Sequence, residues 1–150
     1  MADQDGTVVV LLPIKPQYAL PIMDGAKRVE FRKTPFARRP THVIVYASSP
    51  IKCVLGHFEV AEVVVDSVEA LWARYANVGG VTEHDFRKYY AGHRRGVALV
   101  IGRVHTLAEP LPLAACGPTT PPQSFMYLGR HVLDDLRRRR AADTLGTRAL

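Results

Sequence analysis

Ile14-Lys15-Pro16-Gln17-Tyr18-Ala19-Leu20-Pro21-Ile22-Met23-Asp24-Gly25-Ala26-Lys27-Arg28-Val29-Glu30-Phe31-Arg32-Lys33 holds a strand end, a short helix, a stop and a second strand in one stretch. Pro16 suits the first position of a helix, where its missing N–H would have no partner anyway. Tyr18 and Ile22 are four apart and share a face. Pro21 removes a backbone donor, which predicts a short or kinked helix. Gly25 ends it, because glycine takes the left-handed cap without a Cβ penalty. Arg28 to Lys33 then alternates. Val29 and Phe31 face one way and Arg28, Glu30 and Arg32 the other, the period of a strand with one buried side.

Outward from this stretch, Thr7 to Ile14 is a continuous β-branched run, expected as a strand buried on both faces. On the other side, Pro35 to Pro40 is a basic turn. His42 to Ala47 reads as a strand, Ser48-Ser49-Pro50 as a turn, and Val54 to Val65 as a long strand with a bulge or bend at Gly56. Asp66-Ser67 caps a helix beginning at Val68, and Thr82-Glu83-His84-Asp85 begins another that ends near Tyr90. Gly96 to His105 is a strand and Glu109 to Pro122 an irregular Pro-rich segment. Arg130 to Ala142 is a final helix, with the last residues frayed. Few strands mixed with irregular helices predict an α+β fold: a small, strongly bent or barrel-like sheet with helices over its ends.

The chain has 150 residues, the size of one ordinary domain. At that length folding buries roughly 68–70% of the unfolded surface, enough for a core without disulfides or metals. No apolar run reaches the roughly 20 residues of a membrane helix, and the first residues are acidic where a secretory signal is basic. These features favour a cytoplasmic protein with no membrane partner. Two distant cysteines and six scattered histidines give no metal-ligand spacing, so neither a metal nor another cofactor is expected. The chain also lacks the P-loop, dinucleotide-binding and nucleophile-elbow motifs. The formal net charge of +6 points to polyanion partners. Half of that surplus lies beyond Leu128, where six arginines meet three aspartates.

The opening stretch, Tyr46-Ala47-Ser48-Ser49-Pro50, Val54-x-Gly56-x-Phe58-x-Val60 and Pro122-Gln123-Ser124-Phe125-x-Tyr127-Leu128 together resemble the ASCH domain, a PUA-like family. The resemblance runs from about Val8 to Leu128. It implies a small PUA-type β-barrel over residues 1–128, with residues 129–150 added as an Arg-rich C-terminal helix and tail. It further implies a cleft that takes RNA or another single-stranded or modified nucleic acid. Some family members are instead ribonucleases or acetylcytidine amidohydrolases. The amidohydrolases carry a threonine at the place of Glu30, so this chain departs from their pattern there.

Two functional readings of the cleft follow, beside a third in which the chain is a protein-interaction module whose basic helix engages an acidic partner. In the first, the chain is a nucleic-acid-binding module, RNA being favoured. Lys15, Lys27, Arg32 and Lys33 form a positive wall, and Tyr46, Ser48 and Ser49 meet phosphate oxygens. Glu30, Gln123 and Ser124 read a base edge, and Phe125 or Tyr127 stacks on a base. Arg137, Arg138, Arg139 and Arg140 add salt-dependent affinity. In the second, the same cleft is a hydrolase, a metal-independent ribonuclease or a modified-nucleoside amidohydrolase, with Lys27 and Glu30 as its acid–base pair. Each group also has an architectural reading: Glu30–Arg32 as a salt bridge closing the sheet, Phe125 as a plug, and the arginines as a solvated helical face paired with Asp134 and Asp135.

Overall fold

The structure, a computed structural model, describes residues 5–142. The fraying expected at the end of the chain falls at residues 143–150, outside them. Six strands and four helices follow in order: β1 (Val9–Ile14), α1 (Pro16–Asp24), β2 (Val29–Arg32), β3 (His42–Ala47), β4 (Cys53–Ser67), α2 (Val68–Tyr75), α3 (Glu83–Tyr89), β5 (Arg95–Leu111), β6 (Met126–Leu128) and α4 (Arg130–Arg138). A short 3-10 turn, Leu113–Cys116, lies between β5 and β6.

All six strands form one mixed sheet in the order β2-β5-β4-β3-β1-β6. β1 runs parallel to β3 and the remaining pairs are antiparallel. The α+β class stands, but a closed barrel is not confirmed, because the hydrogen-bonded ladder stops at β2 on one side and β6 on the other. The long strands bend at register shifts in the β4–β5 ladder, one of them at Gly56. A Cβ on Gly56 would lie 2.2 Å from the His105 carbonyl oxygen, so the strands approach there as only glycine permits.

Alternation along β1 separates two cores. Val10, Leu12 and Ile14 pack with Ala19 and Ile22 of α1 on one face. Val9 and Leu11 pack with Val132, Leu133 and Leu136 of α4 on the other. A third cluster joins Val29 and Phe31 of β2 to Leu71 and Tyr75 of α2 and Phe86 of α3. Because β1 and β3 are covered on both faces, their near-continuous apolar runs follow.

Three local expectations need correction. β5 continues to Leu111 through the start of the segment expected to be irregular, held by pairing with β4 as far as Val54↔Leu111. Met126–Leu128 forms an unexpected strand against β1. α4 ends at Arg138, not Ala142, because the following backbone finds a sheet partner. Ala108 N–H donates to Arg140 O (2.9 Å) and Ala142 N–H to Thr106 O (2.7 Å).

Candidate functional site

Gly25 closes α1 with φ 90° and its N–H on Ile22 O. Lys27 N–H then donates to Pro21 O (3.0 Å), and Arg28 N–H to Val78 O (2.8 Å). These bonds turn the chain inward, so that Lys27 is buried at 2% exposure, not set on an open turn. Its Nζ donates to the Gly79 carbonyl and lies 3.5 Å from Glu30 Oε1. Gly80, at φ +64°, presses on the Lys27 stem, and a Cβ there would lie 2.8 Å from Lys27 Cβ.

Glu30 is also buried, at 6% exposure. Its Oε2 accepts from the Arg32 guanidinium at 3.2 Å. One buried carboxylate thus stands between two cations, the arrangement a desolvated charge requires. Burial pushes the Lys27 amine below its ordinary value, and Glu30 partly opposes that shift. Arg32 reaches further, donating to Pro13 O (3.4 Å) and Ser124 O (3.0 Å). Tyr90 OH donates to the Arg32 carbonyl (2.8 Å), and burial raises its pKa.

This trio borders a cleft of about 610 Å³ between α1, the end of β1, β2 and α3. Five basic side chains (Lys15, Lys27, Arg32, Lys33 and Lys88) and two acidic ones (Glu30 and Asp85) line it. Tyr18 and Tyr89 add aromatic surface, with Lys33 Nζ 4.6 Å from the centre of the Tyr89 ring. Lys15, Lys33 and Lys88 are exposed. The cleft therefore offers exposed cations at its rim, aromatic rings beside them and a carboxylate held by Lys27 and Arg32.

Of the sequence-predicted residues, the cleft gathers Lys15, Lys27, Glu30, Arg32 and Lys33. Ser124 adjoins it through Arg32, and Gln123 beside it is exposed. Phe125 packs on Phe36 at 4.5 Å, while the Tyr127 hydroxyl accepts from Arg38 N–H at 3.0 Å. Both rings are thus engaged by the protein. Tyr46 is 5% exposed within the cluster under α4. Ser48 N–H donates to Ile14 O (2.9 Å), and Ser49 is an exposed turn residue. Arg137, Arg138 and Arg139 pair with Asp134 or Asp135. Arg137 and Arg138 lie on α4 and Arg139 and Arg140 follow it, and none of the four lines the cleft.

Gln17, Asp85, Lys88 and Tyr89 also line the cleft, although the sequence pattern does not single them out as site residues. A signal for the α3 members exists. Thr82 Oγ1 caps α3 by accepting from Asp85 N–H (3.1 Å), and positions 85, 88 and 89 have the spacing of one helical face.

The ASCH domain family model matches residues 12–100. An ASCH domain-containing ribonuclease of Zymomonas mobilis is 29% identical over 133 residues, covering 85% of this chain and 89% of that protein. The crystal structure of ASCH from Zymomonas mobilis superimposes with a TM-score of 0.80 at 24% identity, covering 90% of this chain and 98% of that one. The large ribosomal subunit protein uL22 of Ureaplasma parvum is 27% identical over 127 residues, 84% of this chain, and the chain spans 41% of that protein's length.

Proposed function

Because the chain belongs to the ASCH domain family, we propose that it binds RNA through the basic cleft between α1, β2 and α3. The observation that carries this reading is the cleft's lining of five basic side chains against two acidic ones. Lys15, Lys33 and Lys88 at the rim contact phosphates, and Tyr89 offers a face on which an unpaired base stacks when Lys33 turns from that ring to a phosphate. Glu30, held by Lys27 and Arg32, accepts from an exocyclic amino group of a base. Gln123 and Ser124 extend the contact beside Arg32. Lys27 acts by positioning Glu30, since its Nζ is buried against the Gly79 carbonyl and the Glu30 carboxylate.

A second reading, cleavage of the bound RNA, is supported by the ribonuclease name of the Zymomonas relative and by the Lys27–Glu30 contact of 3.5 Å. Strand cleavage needs one group to take the 2′-hydroxyl proton as that oxygen attacks phosphorus. Another must return a proton to the departing 5′-oxygen. Burial favours the neutral, proton-accepting form of Lys27.

The test is binding of a labelled single-stranded RNA across a salt series, followed by a check that the RNA is intact. Lys33→Ala with Lys88→Ala is expected to weaken binding about tenfold and to lower the salt slope by about 0.7 for each phosphate no longer neutralised. An unchanged slope overturns the placement of RNA in this cleft. Shortened RNA whose appearance is abolished in Lys27→Met favours cleavage.

A further inference from the structure

We propose that His42 is a pH-sensitive latch for the C-terminal end of α4: neutral, it holds Arg137 against β3; protonated, it lets Arg137 go.

The contact between Arg137 and His42 Nε2 carries the inference. The Thr41 hydroxyl accepts from Val8 N–H (2.9 Å) and lies 3.0 Å from Val8 O, which already accepts from the Thr41 and His42 N–H groups. The hydroxyl also lies 2.9 Å from His42 Nδ1, a contact in which either group can be the donor. A neutral imidazole protonated at Nδ1 leaves a lone pair on Nε2. Arg137 Nη2 lies 3.0 Å from that nitrogen and donates to it. Arginine has only donors, so this bond exists only while Nε2 is bare. A proton on Nε2 removes the acceptor and sets two cations in contact.

The charges around His42 are mixed. α4 presents Arg137 and Arg130, the latter paired with Asp5. Asp134 holds Arg137 at 3.8 Å and Arg130 at 3.4 Å, so both keep a partner on α4 after release. β4 contributes Glu59, directly opposite His42. Further along β4, His57 stacks on His105 of β5 with ring centres 4.7 Å apart. Burial first, then Arg137, lowers the His42 pKa below its ordinary value, while Glu59 and Asp5 oppose them. His57 is pushed down to about 4, by burial first and then by His105, so it stays neutral over most of the acid range.

The same end of α4 is also held by Leu136 in the core, by the Arg137–Asp134, Arg138–Asp135 and Arg139–Asp135 pairs and by the backbone bridge to β5. Loss of the His42 bond is read at residues 136–140, which flank Arg137.

The experiment is an NMR titration of the histidine rings, with amide exchange followed over the same pH range. The His42 midpoint is expected below the ordinary histidine value and to move up toward it in Arg137→Gln. Amides of residues 136–140 are expected to exchange about tenfold faster below that midpoint, after correction for intrinsic rates. In His42→Gln an uncharged acceptor remains at all pH, and the step disappears. An ordinary midpoint, no shift in Arg137→Gln, or a step retained in His42→Gln overturns the latch. Arg137→Gln keeps His42 itself, so its titration decides the matter even where His42→Gln does not fold.

Discussion

Glu30 is the residue on which the cleft's charge balance turns. Its carboxylate faces Lys27 at 3.5 Å and Arg32 at 3.2 Å, and both Lys27 and Glu30 are buried. Removing one member of such a group leaves the others without compensation, which costs more than the intact group contributes. Glu30→Gln keeps the shape and discards the charge, so it is expected to lose about 2–4 kcal/mol in urea unfolding near neutral pH. The pH dependence carries a sign. The folded Lys27 pKa lies below 10.5, so above it the unfolded chain binds more protons than the folded one. Stability contributed by this group therefore rises with pH through the window between the folded value and 10.5. Without Glu30 the folded value falls further, and the rise begins at lower pH. The check is the urea midpoint of both proteins at several pH values below about 9, where tyrosine is largely neutral in both states. Parallel profiles would show that Glu30 does not act on Lys27.

At the scale of elements, α3 and α4 exchange the roles their compositions suggest. α4 is the arginine-rich helix, yet Arg130, Arg137 and Arg138 each have an aspartate partner within one turn. Its apolar side, Val132, Leu133 and Leu136, is built into the core under β1 and β3. α3 is short and of mixed charge, yet it delivers Asp85, Lys88 and Tyr89 to the cleft. Arg138→Ala is therefore expected to change the salt slope of RNA binding less than Lys88→Ala does. An Arg138→Ala slope that falls more would move the nucleic-acid surface to the α4 face. The contrast also shows what local sequence carries. The alternation of β2, the Gly25 stop and the Ser67 and Thr82 caps are written within a few residues, and those elements form where expected. That α3 and Lys27 line one cleft depends on β2 pairing with β5, through Glu30↔Leu99, which no local pattern encodes. Met126–Leu128 is too short to show a period, and it becomes a strand only because β1 offers an edge. The end of α4 is settled the same way, by backbone bonds to Thr106 and Ala108.

The molecule as a whole is an open sheet whose two ends are tied by a side chain. β2 and β6 are the edges, and no strand ladder joins them among the described residues. Arg32 on β2 spans the gap. Its guanidinium reaches Pro13 O on β1 and Ser124 O just before β6, while holding Glu30 between. The salt bridge that sequence alone suggests as a closing contact is thus one arm of a wider clip. Arginine suits this position because its planar fork serves several acceptors at once, whereas a lysine ammonium is a single point on a shorter reach. Arg32→Lys keeps the charge beside Glu30 but loses the span to Ser124. The expected cost is about 1–2 kcal/mol, the worth of one or two charge-assisted hydrogen bonds at a side chain that is 16% exposed. The loss should be local: amide exchange is expected to quicken in residues 123–128 while β3 and β4, in the middle of the sheet, keep their protection. RNA affinity, if set by cleft charge, should then fall far less than in Lys33→Ala with Lys88→Ala. Exchange that quickens evenly across all six strands would instead mean that Arg32 stabilises the fold only through Glu30, and that the bond to Ser124 adds nothing to holding the ends together.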